Sequence, residues 1–308
     1  MTYASVLDAK NYRLAVARSL RSAAKISTSA DAVTVYYRLT RQWLRLGDFD
    51  SATKAVDLML QQANGIQQGA LRFPWLARVT GLYLALDRRR QAANVYQSLQ
   101  RVIEGARLHS HIAVREDFQY LARVIALCEC EQLSMAVKSD NFPKTFAKID
   151  RARFRALCEI TVAAARFGRA NFFSTFRIAA EAGLGTRRRG DKFKGEATVM
   201  IAQSYAYAGR FNEAEKRIEQ IADSQLKARA IATLTRTLAE RKQFAAALSS
   251  YRRSAKLGRT LENPLVCESI ARAAGKKDQQ QLDAWIATLP GKGDRAAALA
   301  GAATRRNQ

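Results

Sequence analysis

The stretch AYAGRFNEAEKR, residues 206–217, sets a glycine turn between two helix-favouring runs, with Phe211 two places after Gly209 and Ala214 three places further on. The same order stands at Leu46-Gly47-Asp48-Phe49-Asp50-Ser51-Ala52. At Arg241-Lys242-Gln243-Phe244-Ala245-Ala246-Ala247 the Phe and Ala remain, with Lys in place of Gly, and Ala274-Gly275 retains the Gly alone. Positions 209, 242 and 275 are spaced by 33 residues, a period that belongs to stacked helical hairpins. One hairpin cannot bury both of its apolar faces, so neighbours must cover it.

Upstream the pattern is looser. Arg166-Phe167-Gly168-Arg169 resembles the turn at 209 and precedes it by 41 residues, and Leu76-Ala77-Arg78-Val79 recurs as Leu121-Ala122-Arg123-Val124. The excess over 33 falls in Gly183 to Lys194, with three glycines and five basic residues, which reads as an enlarged loop between hairpins. Within one unit the first helix carries Val199, Ile201, Ala202 and Tyr205. Gly209 supplies the positive φ that ends such a helix, Phe211 is expected to pack into the hairpin, and Ala214 is small enough for close helix contact.

The chain has only four prolines, at 74, 143, 264 and 290, and Ala, Leu, Arg, Gln and Glu dominate between them. Those residues favour helix, and long β-branched alternation is almost absent. The fold class is all-α. Aligned on their turns, the hairpins read Tyr36, Leu39-Thr40, Trp43, Gly47, Phe49, Ala52; then Leu76, Val79-Thr80, Tyr83, Asp87, Ala92; then Ile201-Ala202, Tyr205, Gly209, Phe211, Ala214; then Leu234-Thr235, Leu238, Phe244, Ala247. This pattern resembles the tetratricopeptide (TPR) repeat, with Thr or Ala at its glycine position and without its first Trp and closing Pro. The resemblance covers about residues 32–288 and implies an α-solenoid of roughly seven antiparallel hairpins. The expected organisation is an N-terminal helix or cap (1–30), hairpins (31–182), the basic Gly/Arg loop (183–194), further hairpins (195–290) and a C-terminal cap with a basic tail (291–308).

A formal charge of +24 arises from 51 basic against 27 acidic residues, and 36 of the basic ones are Arg. A field of that sign attracts polyanions such as nucleic acid or an acidic protein surface. The bland alternative is an Arg-rich chain with solvated helix faces. Cys128, Cys130, Cys158 and Cys267 lie in apolar helical runs without zinc spacing, so no metal site is expected and a reducing, cytoplasmic setting is. Residues 10–30 carry Arg, Lys and Ser but no acid. They read as an initial helix, or as a transit peptide that would send the chain to an organelle matrix. No apolar run approaches the ~20 residues that span a bilayer.

Catalysis is not expected. The two histidines, His109 and His111, are expected on an exposed connection, and a site would need further His, Cys or carboxylate ligands beside them. No phosphate-binding, zinc-protease or serine-hydrolase motif is present, and no cofactor is implied.

Binding remains. By resemblance to TPR arrays, whose first helices line a concave face, the partner-facing residues are Tyr37, Arg41, Arg45, Arg155, Arg166, Gln203, Tyr207 and Arg236. Guanidinium forks there suit carboxylates or phosphates. Two functions stay open. One is a scaffold or adaptor taking an acidic peptide or protein partner in this basic face. The other is RNA or DNA binding through the phosphate backbone, with Arg88, Arg89, Arg90, Arg187, Arg188, Arg189, Lys192 and Lys194 as anion clamps.

Overall fold

The computed structural model describes residues 29–105, 112–137, 151–185, 192–257 and 263–289, together with single positions near the C-terminus. Among the described residues it is helical, with no strand. Two compact units divide the chain, Met1–Lys144 and Thr145–Gln308. The expected N-terminal cap, His109 and His111, and Arg187 to Arg189 lie outside the described residues.

In unit 1 the helices are α1 (Ser29–Leu46), α2 (Phe49–Asn64), α3 (Gly69–Ala85), α4 (Arg89–Gly105), α5 (Ile112–Glu129) and α6 (Leu133–Val137). Unit 2 holds α7 (Arg151–Arg166), α8 (Ala170–Gly185), α9 (Lys192–Tyr207), α10 (Phe211–Glu219), α11 (Ser224–Glu240), α12 (Phe244–Leu257), α13 (Asn263–Ala273) and α14 (Gln279–Thr288). Each helix packs mainly on its next neighbour or the next but one: α3 against α4 and α5, α7 against α8 and α9, α9 against α10 and α11, α11 against α12 and α13.

Six hairpin turns share one backbone solution. Gly47, Asp87, Glu131, Gly168, Gly209 and Lys242 all adopt positive φ, and the following N–H reaches back to a carbonyl five residues earlier. Asp48 donates to Trp43, Arg88 to Tyr83, Gln132 to Leu127, Arg169 to Ala164, Arg210 to Tyr205 and Gln243 to Leu238, at 2.8–3.0 Å. This is a Schellman cap, which satisfies carbonyls that the helix end leaves without partners. The next helix opens at once, and Asp48 caps α2 by accepting from the Ser51 N–H at 3.0 Å.

The residues around each cap follow the same register. Ala52, Ala92, Ala136, Ala214 and Ala247 are all buried where the second helix crosses the first. Seven positions before the cap, Thr40, Thr80, Thr161 and Thr235 are buried too, and each hydroxyl donates to the carbonyl four residues back at 2.8–2.9 Å. A hydroxyl satisfied inside its own helix leaves no unmet donor in the core.

Three expectations from the sequence change. The turns at 209 and 242 are 33 residues apart, but Gly275 is not a seventh copy: its φ is not positive, and its N–H donates to the Asp278 carboxylate at 2.7 Å beside a 3₁₀ turn, Lys276–Asp278. The basic loop is shorter than 183–194, because α8 continues through Gly185 and α9 begins at Lys192. Gly183 is buried in α8 against Phe154, where a Cβ would meet the ring at 2.7 Å. The aromatic residue of the turn is not a uniform core anchor either. Phe244 is 3% exposed, Phe211 is half-buried and Phe49 is 58% exposed, since burial there depends on what the neighbouring hairpin offers.

Candidate functional site

Four side chains distant in sequence converge in unit 1. The α3 and α5 backbones approach closely at Gly81, which brings Glu129 beneath Arg78 and toward α1. Glu129 has a fully buried side chain. Its carboxylate accepts from Arg78 Nη1 at 2.6 Å and from the Tyr37 hydroxyl at 2.9 and 3.0 Å. Arg41 Nη1 donates to the Glu129 carbonyl at 3.2 Å and stands 3.7 Å from Oε2. The Arg78 guanidinium also lies over the Tyr37 ring, 5.5 Å from its centroid, while Trp75 meets that ring edge-on. Two guanidiniums, a phenol and an aromatic face therefore surround one carboxylate, the residue types that a buried charge requires.

Unit 2 builds a second cluster from the same residue types on different helices. Glu181 of α8 accepts from the Tyr205 hydroxyl of α9 at 2.5 Å, from Arg177 at 3.2 Å and from Arg217 of α10 at 2.9 Å. Arg177 donates to the Tyr205 oxygen as well, at 3.2 Å. Burial pushes the Tyr205 phenol above its ordinary range, the hydrogen bond to Glu181 adds to that, and Arg177 opposes it. In each cluster the geometry ties three helices together around one carboxylate.

The expected partner-facing residues divide accordingly. Tyr37 and Arg41 meet at Glu129, so their polar ends are engaged within the unit. Arg45 is in α1, and its side chain is outside the description. Arg236 Nη2 donates to the Tyr207 hydroxyl at 2.8 Å, which brings those two expected residues together, and Gln203 donates to Thr233 at 3.0 Å; both bonds link α9 and α11. Arg155 and Arg166 both lie on α7: the first stacks over Phe193 near Glu196, the second over Phe167 at 4.9 Å. The expected clamps Arg88, Arg89 and Arg90 are exposed at the turn between α3 and α4. Arg89 pairs with Asp87 at 3.1 Å, both more than four-fifths exposed, a contact worth about 0–1 kcal/mol. Lys192 opens α9, with its side chain outside the description, and Lys194 is half-buried on the same helix.

Sequence reading passed over Glu129, Arg78, Glu181, Arg177 and Arg217. One signal was present: Glu129 is an acid between Cys128 and Cys130 at the end of the apolar run 124–128, where an unpaired carboxylate would be costly. Cys128, Cys158 and Cys267 are buried, and burial raises the pKa of the half-buried Cys130. Among the described residues no group of three His, Cys, Asp or Glu could hold a metal ion, and no helix is long and apolar enough to cross a membrane. A shallow cleft between α10, α11 and α12, lined by Phe211, Asn212, Glu215, Ser250 and Arg253, offers no catalytic grouping.

No protein-family model matches the chain, and neither does any curated protein or solved structure.

Proposed function

We propose that the chain is a divergent TPR-like helical-repeat module, non-enzymatic, whose hairpins stack as an α-solenoid and bind the acidic surface of a protein partner. The observation that carries this reading is the sixfold recurrence of one capped hairpin, each helix packing chiefly on its sequence neighbours. Such recurrence supports the reading, because a repeat array is built from units that contact their neighbours and works by presenting a long surface rather than a pocket. The groove-type residues Tyr37, Arg41, Tyr207 and Arg236 have internal polar partners, so the contact surface we favour includes the turn end of unit 1. There Phe49, Leu84 and Met135 are exposed near three hairpin turns, and Arg88, Arg89 and Arg90 are exposed at the turn between α3 and α4. An apolar centre with a charged rim is the composition of a protein interface.

The test is affinity purification at physiological salt, divided into nuclease-treated and untreated halves. The reading expects a defined protein that survives nuclease and is lost from Arg88→Glu/Arg89→Glu/Arg90→Glu with helicity unchanged. Partners that vanish on digestion, or that persist undiminished on the charge-reversed chain, would overturn it.

A further inference from the structure

The turn end of unit 2 differs in chemistry from that of unit 1. Three successive hairpin turns place Arg169, Arg210, Arg241 and Lys242 there, all exposed. The guanidinium of Arg210 lies over Phe173, 5.6 Å from the ring centroid, and that of Arg241 over Phe211 at 5.7 Å. In both cases the arginine of one turn lies over an aromatic residue at the start of the preceding hairpin's second helix, and both arginines are exposed. Gly209 makes room for this: a Cβ there would stand 2.6–2.7 Å from the Arg241 guanidinium. Arg210, Arg241 and Lys242 pair with no carboxylate among the described residues, whereas Glu240 pairs with Arg236; Glu213 stands in the first turn of α10.

We infer that this edge binds the phosphodiester backbone of a nucleic-acid strand, with Arg210, Arg241 and Lys242 as its phosphate contacts. The helices α7, α9 and α11 pack in succession, and packed helices usually lie about 8–10 Å apart, so the turns that carry these cations follow one another along the edge. A polymer that carries a charge on every backbone unit meets such a row in any register, while a peptide would need acids at one fixed spacing. The exposed large apolar residues described in unit 2 are Ile178 and Leu299, and neither belongs to a hairpin turn. The apolar centre of a protein interface is therefore lacking at this edge, in contrast to the turn end of unit 1. This inference does not rest on the protein-partner reading, which concerns other residues.

The experiment is fluorescence anisotropy of the full chain with a fluorescein-labelled oligothymidylate over a salt series. Each phosphate contact to a single strand contributes about 0.7 to the slope of log affinity against log salt, so Arg210→Gln/Arg241→Gln/Lys242→Gln should lower the slope by about 2. Lys54→Gln/Arg101→Gln/Arg123→Gln removes the same charge from exposed positions of unit 1 and should leave the slope unchanged. Arg241→Lys keeps the charge but loses the planar stack, and should weaken binding about two- to fivefold. Circular dichroism of each variant checks the fold, and the lysine variant preserves a readout where the triple variant melts early. Three results would overturn the inference: no binding by the wild-type chain, equal slope losses from the two triple variants, or polyglutamate competing as well as oligothymidylate per charge. The last outcome would return the edge to acidic proteins.

Discussion

Gly81 on α3 faces the Ala126 carbonyl on α5 so closely that a Cβ at position 81 would stand 2.3 Å from that oxygen and 2.7 Å from Glu129 Cβ. Both neighbours are fixed, one a backbone atom and the other the root of a buried side chain, so neither can swing aside. Gly81→Ala should therefore push the helices apart and cost about 1–3 kcal/mol, the usual range for overpacking. Urea denaturation measures it, and a midpoint that does not move would mean that α3 and α5 separate without strain.

The consequence for Glu129 is a second prediction. Its carboxylate is fully buried, while Arg78 and Arg41 remain partly open to water. Glu129→Ala removes the acceptor from two cations and a phenol at once, and breaking a buried ion pair from one side costs about 3–5 kcal/mol. Partial exposure of the arginines lets water relieve some of the loss, so the expected value is near the lower limit. Arg78→Met in the same background should then cost less than it does alone, because its partner is already gone; additive losses would show that the two residues do not interact.

The shared cap makes a prediction of opposite sign at two of its copies. Gly209 and Lys242 occupy the same left-handed position, yet only glycine enters that region freely. Gly209→Ala should destabilise by about 1–2 kcal/mol. Lys242→Gly should stabilise by roughly 0.5–1 kcal/mol, because relief of strain is partly offset by the greater freedom of glycine in the unfolded chain. Thermal melts of the two variants should thus shift in opposite directions.

What could be read in advance follows from how local each feature is. The turns at 47, 168 and 209 were legible because glycine announces positive φ, and those at 87 and 242 from the residues aligned around them; the turn at 131 carries Glu, which announces nothing, although the backbone does the same thing there. The buried alanine after the turns at 47, 87, 209 and 242 was legible as a spacing. The Glu129 cluster was not, since residues 37, 41, 78 and 129 meet only after three helices have packed. The outward-facing arginines of unit 2 were overlooked for a related reason: Arg210 and Arg241 stand in different turns, and only the stacking of hairpins brings each onto a preceding aromatic ring.

The unequal burial of the turn aromatics gives a direct comparison. Phe244→Ala empties a buried site and should cost about 3–5 kcal/mol. Phe49→Ala removes an exposed ring and should cost less than about 1 kcal/mol. Equal losses in a denaturant titration would mean that Phe49 is covered in solution.

Alkaline titration reports on the same packing through the tyrosines. Burial pushes the phenols of Tyr36, Tyr83 and Tyr205 above the ordinary value of about 10, and hydrogen bonds to Asp57 at 2.6 Å and to Glu181 at 2.5 Å raise Tyr83 and Tyr205 further, with Arg177 opposing at Tyr205. A pKa raised in the folded state means that the fold holds the proton more tightly than the unfolded chain does. The associated stability is fully present below about pH 10 and is lost as pH rises through the folded-state values. Phenolate absorbance should then show late ionisations that coincide with loss of helicity by circular dichroism. Tyr83→Phe should remove one of the late steps. Complete ionisation near pH 10 with helicity intact would contradict the burial of all three rings.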